Sequence, residues 1–297
     1  MSIELPQELE LLQIQAEEGL NRMGMECLIH ASRSLMDVLW VTSARHRWPE
    51  DGGMAHEWWT QRDAVEIMAH AGEDPVFERT PFTAGEVRIV LAFVAIHDMV
   101  SIKKITEQHV RDAGEEEQPR LRQLREDGRR RHMAGVREIA QVILPLITEN
   151  GSPVFSENEM SAVTEIGTHH DDRKLSVPIA YPPLLGQTPT TRAAIAAVEA
   201  DIIWPVTGTI DPSLRMTCGP VADIRRRRAI TLNDPAASVY EPTDDELIEQ
   251  ARANLETQLC PIPVGWDPGP NGLYRGTLVR TLGGAMLLER YLQVWGL

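Results

Sequence analysis

The residues best suited to chemistry begin with His97 and Asp98, adjacent ionisable groups at the end of an apolar run from Val87 to Ile96. Ending such a run in an imidazole and a carboxylate costs stability unless the two are paired or bind a metal. Asp201 makes a similar case. It lies in an alanine-rich stretch and is flanked by Ala200 and Ile202-Ile203-Trp204. Three further groups could complete a ligand set: Glu26 with His30, His132, and the pair His169-His170. Imidazole and carboxylate donors without thiolates suit iron, manganese or zinc rather than a structural zinc site. A carboxylate such as Asp98 can bridge two such ions, and two ions together can activate water and clamp the oxygens of a phosphate ester.

The elements that must position these groups read as helices. Residues 7–47 carry helical apolar spacing, with Gly19 and Gly24 as points of bending or breakage. Glu26 and His30 are four apart and are expected on one helix face. Residues 48–84, punctuated by Pro49, Gly52, Gly53, Pro75 and Pro81, read as an insertion with a helix near Trp58–Ala71. His46, His56 and His70 fall there without a partner at ligand spacing and are assigned to surface or ordinary packing. Thr83 with Glu86 predicts a capping box and a helix from Ala84 to about His109.

The charged stretch 111–131 reads as a solvated loop or exposed helix leading to His132, which opens an amphipathic helix. Ser156 with Glu159 caps the next helix, which ends at His169-His170. An alanine-rich helix then carries Asp201. From Pro205 the texture changes. Short extended runs such as Ala229–Leu232 are expected, then a helix capped by Thr243 and Glu246, and a last helix near Arg275–Trp295. The four-arginine run Arg225–Arg228 reads as solvated or ion-paired surface. The fold class is therefore mainly α: a helical metal-binding domain over residues 1–204 and an irregular and helical appendage over 205–297.

Composition narrows the function. The chain has 297 residues and a formal charge of −15, which argues against non-specific binding to nucleic acid or anionic membrane. Three scattered cysteines without CxxC spacing suggest a reducing compartment. No signal peptide or bilayer-spanning run is visible, so a cytoplasmic location is expected. Of 29 basic residues only Lys103, Lys104 and Lys174 are lysines, and they follow the two histidine motifs.

Taken in order, Glu26, His30, His97-Asp98, His132, His169-His170 and Asp201 resemble the ligand order of the HD-domain superfamily of metal-dependent phosphohydrolases. The closest likeness is to the HD-GYP branch, which has an expanded set. That branch has a Glu four residues before its first His, a Gly shortly after its third His (here Gly135), and an Ala-Asp pair at its last ligand (here Ala200-Asp201). It also has a Gly-Tyr-Pro turn, to which Ala180-Tyr181-Pro182 is similar. Ser101 stands where that branch has a lysine.

The resemblance implies an HD-type helical bundle and two divalent ions, iron or manganese first and zinc next. It also implies hydrolysis of a nucleotide or other small phosphate ester by a hydroxide held between the metals. His97 and Asp98 would be at the centre of the reaction, with Lys103, Lys104, Lys174 and Tyr181 on the substrate. Two alternatives stand beside this reading. One is the HD-type di-iron oxygenases, which use O2 on a small molecule; the other is a non-catalytic sensor or scaffold. A homodimer is compatible with all three.

Overall fold

The computed structural model describes residues 7–43, 55–99, 110, 113–169, 189–207, 219–232, 240–258 and 279–297. As expected, the chain is mainly helical. The helices are α1 (Gln7–Arg22), α2 (Ile29–Ser43), α3 (Ala55–Ala69), α4 (Ala84–Ile96), α5 (Gln118–Ile143), α6 (Glu157–His169), α7 (Pro189–Thr207), α8 (Gly219–Leu232), α9 (Asp244–Gln258) and α10 (Leu282–Trp295). A two-stranded hairpin joins α5 to α6. It pairs Thr148 with Pro153 and Glu149 with Ser152, and turns through Asn150 and Gly151, both at positive φ.

Helix α4 is the axis of the bundle. Every residue from Ile89 to Ile96 is buried, as a helix apolar on all sides must be. It packs on α2, α3, α6 and α7. Its start is the expected capping box: the Glu86 N–H donates to the Thr83 hydroxyl (3.3 Å) and the Thr83 N–H to the Glu86 carboxylate (2.7 Å). The Ser156–Glu159 and Thr243–Glu246 boxes form in the same way.

The end of α4 differs from the expectation. The helix stops at Ile96, with His97 as its C-cap. The His97 Nδ1 bonds the Val94 carbonyl at 2.8 Å, the group that residue 98 would use if the helix continued. Residues 100–109, where the longer helix was expected, lie outside the described residues.

The stretch read as an insertion supplies a core helix. Trp58, Trp59, Ala64, Val65 and Ile67 of α3 are fully buried, and α3 packs on α1, α4, α7 and α10. His132 does not open a helix but lies well inside α5, whose first half is the charged stretch. Residues 229–232, expected to be extended, form the end of α8. Arg225 and Arg228 of that helix are ion-paired with Glu241 and Glu246 (both 2.7 Å).

Buried charges lock α4, α7 and α10 together. Arg192 at the start of α7 pairs with Glu86 of α4 at 2.7 Å. It also donates to the carbonyls of Phe77, Thr80 and Pro81. Glu199 of α7 accepts from the backbone of Arg280 and Thr281 and from the Thr281 hydroxyl. Asp74 accepts from Val76 and Leu282. The start of α10 is thus held by two carboxylates, the charge that a helix N-terminus favours.

Gly283 tests this packing. A Cβ there would lie 2.6 Å from the Ile67 Cα, backbone that cannot swing aside. Gly283→Ala should therefore destabilise the protein by about 1–3 kcal/mol, read by urea denaturation. Gly114→Ala, with nothing within 4 Å of its Cβ, should melt like wild type.

Candidate metal centre

Three helices meet where α4 ends. His97 caps α4 and is 1 % exposed. Its ring stacks on Phe93 with centroids 5.1 Å apart, and its Nδ1 is engaged by Val94. A backbone carbonyl partner for Nδ1 turns the other ring nitrogen, Nε2, towards His56 and Asp201. His56, in the first turn of α3, packs edge-on against Trp204. Asp201 projects from α7. The His56 and His97 Nε2 atoms are 3.0 Å apart, and the Asp201 Oδ1 is 3.1 Å from the first and 3.3 Å from the second.

These separations are compatible with a hydrogen-bonded cluster that shares a proton and with a metal site. Two neutral imidazoles presenting lone pairs at 3.0 Å repel unless a proton or a cation lies between them. Ligand atoms about 2.1 Å from one ion, at right angles, are roughly 3.0 Å from each other. The three atoms have that spacing, so the residues could hold a divalent ion.

Asp98 extends the centre. Its Oδ2 is 3.4 Å from the His56 Nε2 and 3.9 Å from that of His97, while its Oδ1 is 3.2 Å from the His132 Nε2. One carboxylate oxygen thus faces the triad and the other faces His132 on α5. Asp98 is also the most open of the five, with a side chain 27 % exposed. Glu57, next to His56, is a further buried carboxylate nearby, its pKa raised by burial.

Of the residues expected at the site, His97, Asp98, His132 and Asp201 come together. Glu26 and His30 are not brought to this cluster. Both are exposed, and neither belongs to a potential metal-binding group among the described residues. The chain turns at Gly24 in a left-handed conformation. Glu26 then lies in a one-turn 3-10 helix that buries Leu28, so the four-residue spacing does not lie within one α-helix. His56, read as surface or ordinary packing, is the histidine that lies beside His97 and Asp201. Its signal was weak because α3 buries polar and apolar residues alike: Thr60, Gln61 and Asp63 are all fully buried. His169 is the last residue of α6, but its side chain, with all of His170, Lys103, Lys104, Lys174 and Tyr181, lies outside the described residues. His70, read as surface or packing, lies 3.5 Å from Glu66.

Compared with protein-family models, curated proteins and solved structures, the chain has no match. The geometry stands alone.

Burial disfavours the His97 imidazolium, but Asp98 and Asp201 outweigh burial and push its pKa from 6.5 up to about 9. In metal-free protein the resulting stabilisation is complete below pH 6.5 and is lost as pH rises through about 9. A metal needs the same nitrogen deprotonated. Metal binding at about pH 7.5 should therefore release about one proton, and at about pH 10 close to none. Calorimetry in buffers of different ionisation enthalpy counts those protons. A count near zero at the lower pH would show that no bound proton is displaced.

Proposed function

We propose that the chain is a metal-dependent phosphohydrolase of the HD type, acting on a nucleotide or other small phosphate ester. The observation that carries this reading is the His56, His97 and Asp201 triad, with Asp98 reaching from it to His132. The order His, His-Asp, His, Asp along the chain fits the HD resemblance better from His56 than from His30. The first interval shortens from 67 residues to 41.

Two divalent ions at such a site would supply an activated water and offset charge on the phosphate oxygens. The chain's own residues do the rest. His97 is oriented by Val94 and Phe93, so its Nε2 needs no rearrangement to receive a ligand. Asp201 and His56, both buried, exclude bulk water from one side of the centre. The more open Asp98 marks the side from which a substrate enters. Lys103, Lys104, Lys174 and Tyr181 remain the residues proposed to hold the substrate.

A second reading has its own support. Two histidines and one carboxylate on a single face are also the ligand set of non-haem iron enzymes that use O2. On that reading the chain is an HD-type di-iron oxygenase acting on a small molecule.

The test uses protein loaded separately with Mn2+, Fe2+ and Zn2+. The phosphohydrolase reading expects hydrolysis of p-nitrophenyl phosphate, its bis ester or a nucleotide panel, with equal rates in air and under argon. Asp98→Ala should lower kcat by about 100-fold or more. Oxygen uptake with the Fe2+ form alone, without phosphate release from any ester, would favour the second reading. Full activity in Asp98→Ala would remove this site from the reaction.

A further inference from the structure

Glu57 follows His56 in α3 but takes no part in the ligand triad. Its side chain is 8 % exposed, and its Oε2 is buried without a hydrogen-bond partner. A buried carboxylate oxygen left unpaired costs free energy, and native structures satisfy nearly all such atoms. Among the described residues no protein group satisfies this one. The charges that act on Glu57 are those of the metal centre: His56, Asp98 and His97.

Direct ligation is the less suitable role. The Nε2 and Oδ1 atoms of the triad share a compact group from which the Glu57 carboxylate is absent. The ion pairs of His56 run to Asp98 and Asp201, not to Glu57. A carboxylate close to an ion but outside its ligand group accepts hydrogen bonds from water in the hydration shell. Such outer contacts orient the shell and raise affinity without changing the ligand count.

We propose that Glu57 is the outer-sphere acceptor of this centre, its orphaned Oε2 holding a water of the ion's hydration shell. The inference rests on the triad being a metal site. It adds a positioning residue on the helix that carries His56, and it gives the site's water a fixed acceptor on the α3 side.

The test compares wild-type protein with Glu57→Gln and Glu57→Asp by Mn2+ and Zn2+ titration against a competing chelator, beside the melting temperature of each metal-free form. Glu57→Gln should keep the metal stoichiometry and lose roughly 10- to 100-fold in affinity. Its metal-free form should melt no lower than wild type, because the amide oxygen keeps the shape of the carboxylate and can still accept from the Glu57 backbone. Glu57→Asp keeps the charge but draws it back by one methylene, so it should also lose affinity; it decides the matter if the Gln variant does not fold. An unchanged affinity in a folded variant overturns the proposal. So does an affinity loss in a variant whose metal-free form melts several degrees lower, which would make Glu57 a structural residue. A wild-type chain that takes up neither ion is a different result, since it overturns the metal reading of the triad itself.

Discussion

Two imidazole nitrogens and a carboxylate oxygen are held about 3 Å apart inside a packed helical bundle, and most of the architecture serves that placement. Without a proton or a cation between them the arrangement is unfavourable, because lone pairs face one another where water cannot separate them. The bundle must therefore hold the three groups rigidly. It does so by placing each on a different buried helix. The ring of His97 is fixed by the last turn of α4, that of His56 by Trp204, and Asp201 by an α7 anchored at both ends. Arg192 ties the start of α7 to the capping box of α4, and the Thr207 hydroxyl ties its end to Asp63 of α3.

Burial also explains how charge is distributed. The protein is acidic overall, yet the inner carboxylates have specific partners. Glu86 has Arg192, and Glu199 and Asp74 have the start of α10. Removing one partner of such a pair leaves a buried charge uncompensated, which costs far more than the pair contributes. Among these carboxylates Glu57 differs, because one of its oxygens has no partner among the described residues.

Much of this was legible in the sequence, and each departure has its own physical cause. His97, Asp98 and Asp201 stood out because each interrupts an apolar run, and a polar group there needs a reason. The capping boxes at Thr83, Ser156 and Thr243 were legible because their chemistry is local. His56 was not, since α3 buries its polar residues with its apolar ones and no contrast marks the inner face. Glu26 and His30 do not share an α-helix face, because a spacing of four implies one only within an unbroken α-helix, and Gly24 and the 3-10 turn break it. The end of α8 was misread as extended because its β-branched residues favour strands. Tertiary pairing of Arg225 and Arg228 with the following segment overrides that local preference.

The central claim is that the metal-binding histidine near the start of the chain is His56. The most direct test is the metal content of wild-type protein, His56→Ala and His30→Ala, each purified without chelator and then titrated with Mn2+, Fe2+ and Zn2+. The account predicts bound metal in wild type, the same content in His30→Ala, and a clear loss in His56→Ala with the fold retained by circular dichroism. Metal lost from His30→Ala and kept by His56→Ala, or no uptake by wild type, would contradict it.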